Sequence, residues 1–302
     1  MTSVRETCEI SIVVASAEGV EGLRECLAAH RQSCEGIDAE ILVVDASPDH
    51  MAASICAEFS EVRLLSMPEG TLVPLLWGAG LREARGRVVA FTIGQCVVDP
   101  TWARAMLVGI SAGASGVGGR FDLRRGSGAT VRATFYLRYS AWLAAPIGPV
   151  REIAGDNAAY DHDSLRAVQR KHDAGFWEVD VHARFRELGK GLVLIGDATA
   201  RFGGRITLGA MASRRFAHGR HSGAFRVEQG IRTRWQMVLG APLVPAVLLL
   251  RVARRVARVP AHWPSFLTSL GAFFVLAAAW AAGEAVGALT ALPSGREALR
   301  AA

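Results

Sequence analysis

Residues 40–49 read EILVVDASPD. Four apolar residues, three of them β-branched, run into Asp45 and then into Ser-Pro-Asp turn chemistry. A continuous apolar run of this length predicts a strand buried on both faces, as in the middle of a parallel sheet. Its partners lie on either side. Residues 9–15 (EISIVVA), 62–67 (VRLLSM) and 87–91 (RVVAF) repeat the pattern. Between them, residues 20–32, 49–59 and 73–86 carry apolar residues at helical spacing and end at a Gly or polar break. Strands alternating with helices predict βαβ units and a largely parallel sheet with helices on both faces. A fourth helix (100–111, PTWARAMLVGIS) precedes a further strand (114–123, ASGVGGRFDL). An aromatic, arginine-bearing stretch (130–145) and a turn-rich one (146–157) follow, with no internal repeat.

The C-terminal third differs in composition. Of 302 residues 51% are hydrophobic, and the mean hydropathy of +0.24 is high for a chain that meets only water. Residues 265–292 form an apolar run long enough to span a bilayer, where about 20 residues are needed. Residues 235–250 are shorter and carry Pro242 and Pro245, so they read as re-entrant or interfacial. Between Arg201 and Arg258 twelve arginines face a single acid, Glu228, so the rest of the chain is net negative. A basic band flanking apolar segments suits an anionic membrane surface, and the arginines of residues 251–258 should stay cytoplasmic. Nucleic acid is the weaker reading, because aromatic and basic residues do not interleave in one motif. The five cysteines show no CxxC or His pairing, which argues against a zinc site and a disulfide framework and suits a reducing compartment.

In an open α/β sheet, ligands bind at the carboxyl ends of the strands. Asp45 ends the second strand, a turn from Thr92 to Asp99 ends the fourth, and Asp156-Asn157 sit in a later loop. Asp45 is suited to accept hydrogen bonds from a base or ribose, and equally to close its own turn. The glycines of GxGxxG or GxxxxGK[ST] are absent, which excludes the dinucleotide and P-loop readings.

Several segments together resemble family 2 glycosyltransferases. Residues 11–32 with 40–49 resemble the opening of that family, and LREARGRVVAFTIGQCVVDPTW (81–102) the segment that carries its Asp-x-Asp metal motif. GDNAAYDHDSL (155–165) is similar to its acceptor-side loop, and WEVDVHARFRELG (177–189) to the helix that opens on an acidic pair. SRRFAHGRHSGAFR (213–226), followed by apolar sequence, resembles members anchored at their C-terminus. The resemblance implies a GT-A-like, Rossmann-type mixed sheet flanked by helices, followed by a C-terminal membrane helical segment. It also implies inverting transfer from a nucleotide-sugar donor to a lipid-linked or polysaccharide acceptor. The domain is expected over 1–200, a basic juxtamembrane segment over 201–234, membrane-associated sequence over 235–292 and a tail over 293–302. That arrangement places the chain at the inner membrane with its catalytic domain cytoplasmic.

By residue, the resemblance assigns donor contacts to Ala15, Asp45, Thr92 and Gln95, and acceptor-side positions to Asp156 and Asn157. Its register puts the catalytic base on Glu178 and the second acid on Asp180; at i and i+2 of a helix the two diverge, so one should face the acceptor. The departures are specific. Ile93 and Gln95 stand where the metal aspartates belong, and Ala15 replaces the usual proline. Residues 92–96 (TIGQC) resemble a T-x-x-H-C turn of an anchored subgroup. A Mg or Mn ion, if present, would then be weakly held, with Arg214, Arg215, His218 and Arg220 as candidates to neutralise the leaving diphosphate. His182 reads as a structural histidine. The alternative is a catalytically silent binding or scaffold subunit that keeps the fold.

Overall fold

The structure is a computed structural model that describes residues 8–17, 22–48, 51–169 and 175–291. It divides into two compact units. One takes residues 1–125 and 145–204, the other 126–144 and 205–302.

In chain order the first unit contains β1 (Ile10–Ser16), α1 (Leu23–Ser33), β2 (Ala39–Asp45), α2 (Ala52–Cys56), β3 (Val62–Ser66), α3 (Val73–Glu83), β4 (Val88–Ile93), β5 (Cys96–Val98), α4 (Trp102–Ser111) and β6 (Gly116–Leu123). After α5 (Ala129–Tyr139), which belongs to the second unit, come β7 (Gly148–Val150), β8 (Asn157–Asp161), α6 (His162–Val168), α7 (Glu178–Glu187) and β9 (Leu192–Phe202). The strands form one sheet in the order β3-β2-β1-β4-β8-β6-β9-β5, with β7 on β9. β3, β2, β1 and β4 run parallel, while β8 is antiparallel to both β4 and β6. The fold is therefore a mixed α/β sheet, as expected.

Strand alternation sends Phe91 and Thr92 to opposite faces. Trp77 of α3 packs on Phe91, and that face also carries Tyr160 of β8, Phe176 just before α7 and Phe185 of α7. All five rings are buried, each contributing roughly 1.5–3 kcal/mol by leaving water. On the other face, Trp102 of α4 donates its indole N–H to Asn157, the residue opposite Thr92, and packs edge-on against His30 of α1. Gly119 marks a register shift in β6. A Cβ there would lie 1.9 Å from the Ala198 carbonyl oxygen and 2.5 Å from Asn157 Nδ2, so only glycine fits.

Four strands, β5, β7, β8 and β9, lie outside the sequence expectation. The first two have three residues each and owe their strand geometry to β9. Asn157, expected in a loop, is the first residue of β8, because pairing with Thr92 extends the ladder to it. Residues 20–21 and 49–50, within two expected helices, and the expected tail 293–302 lie outside the described residues.

The second unit is helical: α5, α8 (Leu208–Glu228), α9 (Arg234–Gly240), α10 (Val244–Val256), α11 (Trp263–Leu267) and α12 (Leu270–Thr290). A 3-10 turn at Ala241–Leu243 joins α9 to α10, which makes a helical run of 23 residues from Arg234 to Val256. That run and α12 are long and apolar enough, by length and composition, to cross a membrane. The first is longer than the apolar stretch 235–250 suggested, because helix continues through Arg251, Arg254 and Arg255. The segment expected to be juxtamembrane divides too: Arg201 and Phe202 finish β9, whereas 208–228 form α8.

α8 and α12 pack backbone to backbone. Gly219 and Gly223 face Gly283 and Gly287, and a Cβ on any of the four would come within 1.9–2.4 Å of a carbonyl oxygen of the other helix. Two small-xxx-small faces interlock in this way, as in tightly packed membrane helices. Beside them, buried Glu284 accepts from Arg226 at 2.8 Å and from Ser222 at 3.3 Å.

Candidate functional site

The carboxyl ends of β1, β2 and β4 meet in register. Ala15 lies between Val44 and Ile93, Ser16 beside Asp45, and Thr92 beside Asn157. The sheet thus brings Ala15, Asp45 and Thr92 to one edge. Asp45 is buried, and its carboxylate accepts the Ser47 backbone N–H at 3.2 Å and the Ser47 hydroxyl at 3.1 Å, a local turn bond. On the same face, the hydroxyls of Ser16 and Thr92 are buried with no hydrogen-bond partner. Unpartnered buried hydroxyls are costly, about 1–3 kcal/mol each, so their clustering at this edge marks it out.

The turn after β4 has little to offer a cation. The Thr92 carbonyl accepts the Trp77 indole N–H at 2.9 Å, and the Gln95 carbonyl accepts the Gly203 N–H at 3.0 Å. Gly22, at the start of α1, abuts the Gly94 carbonyl so closely that a Cβ would lie 2.7 Å from it. Asp99, the first carboxylate beyond, is ion-paired with Arg201. Among the described residues no group of three His, Cys, Asp or Glu side chains could hold a metal ion. A dedicated divalent site, with its need for one or two carboxylates, does not fit this turn.

The acceptor-side candidates converge. Glu178, half-buried at the first position of α7, accepts the backbone N–H of Gly155. Asp156 and Asn157 follow directly in sequence, so the expected base and the expected acceptor loop form one piece. Asn157 itself is committed to the fold. Its oxygen accepts from Trp102 at 2.6 Å, and its amide donates to the carbonyls of Arg120 at 2.8 Å and Ala198 at 3.2 Å. Asp180 diverges from Glu178 and ion-pairs with Arg184 one helical turn on. Arg184 in turn donates to the Val168 carbonyl at 2.9 Å. This engagement gives Asp180 a structural task and leaves Glu178 as the acid turned to the loop.

His182, read from sequence as structural, is buried and bonded on both ring nitrogens, to Glu152 and to Tyr160, at 2.8 Å each. Neither partner was among the expected site residues. The spacing Glu178-x-x-x-His182 was the available signal, since it puts both on one helix face.

The four cationic candidates lie on α8 of the second unit. Arg215 sits 4.4 Å from the centre of the Trp280 ring. Burial, then the charge of Arg138, lowers its pKa to about 10, which leaves it charged at neutral pH. The same two causes, with further arginines, push His218 down to about 4. Without a bound anion His218 is therefore neutral, and Arg214, Arg215 and Arg220 are the candidates that bring charge. Arg220 is exposed.

This architecture is a glycosyltransferase-like fold. The mannosyltransferase PcManGT from Pyrobaculum calidifontis, solved in complex with GDP-Man and Mn2+, is similar over 92% of this chain and 88% of its own, with a TM-score of 0.51 and 16% identity. A mycobacterial protein is similar over 70% of this chain and 73% of its own, with a TM-score of 0.47 and 17% identity. No family model matches the sequence, and no curated protein matches it significantly.

Proposed function

We propose that the protein is a membrane-anchored inverting glycosyltransferase that moves a sugar from a nucleotide-sugar donor to a lipid-linked or polysaccharide acceptor. The observation that carries this reading is the seating of Glu178 on the Gly155 amide, next to Asp156, in a glycosyltransferase-like fold. As general base, Glu178 takes the proton of the acceptor hydroxyl while that oxygen attacks the anomeric carbon. The bond from that carbon to the diphosphate breaks, the nucleoside diphosphate leaves with its electron pair, and the configuration inverts. The donor edge is Ala15, Asp45, Thr92 and Gln95, with the hydroxyls of Ser16 and Thr92 as open hydrogen-bonding groups. The negative charge of the leaving diphosphate is neutralised by arginines rather than a firmly held metal, with Arg214, Arg215 and Arg220 proposed for that part.

Membrane association is supported by the helical run from Arg234 to Val256. Trp235, Leu239, Leu243, Val247 and Leu250 form an exposed apolar stripe along it, and exposed Arg251, Arg254 and Arg258 follow at its end. An apolar stripe ending in arginines suits the interface of an anionic, cytoplasmic leaflet. A second reading, a nucleotide-sugar-binding subunit without turnover, is favoured by the same lost carboxylates at 93 and 95.

The test is a thermal-shift screen of UDP- and GDP-sugars with and without manganese, followed by donor-turnover assays. The transferase reading expects donor stabilisation that survives EDTA, turnover with an acceptor, and loss of turnover in Arg215→Ala or Arg220→Ala. Complete, manganese-reversible inhibition by EDTA with both arginine variants fully active would overturn the metal-independent scheme. Donor binding without turnover under any condition selects the silent subunit.

A further inference from the structure

Behind Glu178 lies a chain of polar side chains for which the chemistry above has no use. Arg186 of α7 donates to Glu152 Oε1 at 2.8 Å and to the Arg151 carbonyl at 3.0 Å. Glu152 Oε2 meets His182 Nδ1 at 2.8 Å, and His182 Nε2 meets the Tyr160 hydroxyl at 2.8 Å. The chain runs from the half-exposed Glu152 side chain inward to two fully buried ones.

The donor and acceptor inventory fixes the hydrogen at its outer end. An ionised carboxylate only accepts, so His182 Nδ1 carries a hydrogen. Nε2 and the Tyr160 hydroxyl share the second hydrogen bond. Both end groups suit these roles. Burial, then the charges of Glu178 and Glu152, raises the Tyr160 pKa well above its ordinary value, so the hydroxyl keeps its proton. Burial opposes the charge on Glu152, but the bonds and charges of His182 and Arg186 outweigh it and hold the carboxyl below its ordinary pKa.

Geometry links this chain to Glu178. Glu178 and His182 are four residues apart on α7 and share one face. Whatever fixes His182 fixes the rotation of the first turn of α7, and so the direction of the Glu178 carboxylate. The far ends lie on β8 (Tyr160) and on the loop 151–156 (Glu152), the same loop whose Gly155 N–H meets Glu178. Three elements are thereby tied at two points one helical turn apart.

We propose that Glu152, His182 and Tyr160 form a relay of positioning residues that holds Glu178 against the Gly155 amide and aims it at the acceptor. The catalytic part of this inference rests on the transferase reading, whereas the positioning part does not.

The test uses the full-length protein and two variants, Tyr160→Phe, which keeps the ring among Phe91, Phe176 and Phe185 and removes one hydroxyl, and Glu152→Gln, which removes one charge. Glu178→Ala serves as the reference for a freed Gly155 amide. Hydrogen–deuterium exchange over residues 152–158 is compared with kcat and donor KM. The relay expects Gly155 exchange in both variants to quicken at least tenfold towards the Glu178→Ala rate. It also expects kcat to fall about tenfold with donor KM unchanged. Wild-type exchange at Gly155 in both variants would overturn it, as would faster exchange with wild-type kcat. If no turnover exists in the wild type, the transferase reading fails and exchange alone decides the positioning. If Tyr160→Phe does not fold, Glu152→Gln, at the half-exposed end, carries the same comparison.

Discussion

The carboxylate of Glu178 accepts the backbone N–H of Gly155, which joins the first turn of α7 to the turn that opens β8. Glu178→Gln keeps an oxygen for that N–H and removes the affinity for a proton. Turnover should fall by about 10² or more, while donor affinity and melting temperature stay near wild type. Steady-state kinetics beside donor titration checks this. Equal loss of donor affinity would show that residue 178 belongs to the donor site.

Asn157 should behave as a fold residue. Asn157→Asp is close to isosteric and still accepts from Trp102, but it turns a carboxylate towards the carbonyls of Arg120 and Ala198, which have lost their donors. The expected cost is on the order of 3 kcal/mol or more, since each buried group left unpaired costs about 1–3 kcal/mol. Thermal melting should show a large drop; wild-type stability with lost acceptor binding would restore a direct role in recognition.

Glycines in α12 should divide by position. Gly287→Ala puts a Cβ 1.9 Å from the Arg220 carbonyl oxygen, and Gly283→Ala puts one 2.2 Å from that of Phe216, so α8 and α12 must part. Overpacking of this kind costs typically about 1–3 kcal/mol. Gly271→Ala meets nothing within 4 Å and should stabilise by up to about 1 kcal/mol through helix propensity. Melting of the detergent-solubilised protein distinguishes the two signs.

His30 should make the fold acid-sensitive. Its ring is buried without a hydrogen-bond partner, and burial lowers its pKa to about 3. The folded pKa lies below the unfolded value of about 6.5, so the unfolded chain binds the proton first. The stability is complete above pH 6.5 and is lost as pH falls towards 3, by about 2 kcal/mol between pH 6.5 and 5. His30→Leu should flatten this part of the pH profile relative to wild type in urea unfolding at pH 7 and 5. Parallel profiles for the two proteins would mean that His30 titrates normally.

The parallel half of the sheet was legible because its strands are short apolar runs bounded by turn residues, a local pattern that EILVVDASPD states in ten positions. Glu178 was singled out by its place in an ordered set of motifs. The strands β5 and β7 were not, because three residues carry no period and become strand only where β9 offers hydrogen bonds. Asn157 could be found in the sequence but not its task, since Trp102, Arg120 and Ala198 reach it from 37 to 55 residues away. For the same reason the Glu152–His182–Tyr160 chain and the facing glycines of α8 and α12 are tertiary facts. The sequence by itself determined the strands and helices of the parallel half and the apolar segments, because those follow from neighbours along the chain. Only the tertiary structure decided which polar groups find partners, because a hydrogen bond needs a donor and an acceptor within about 3 Å, a distance that sequence separation does not encode.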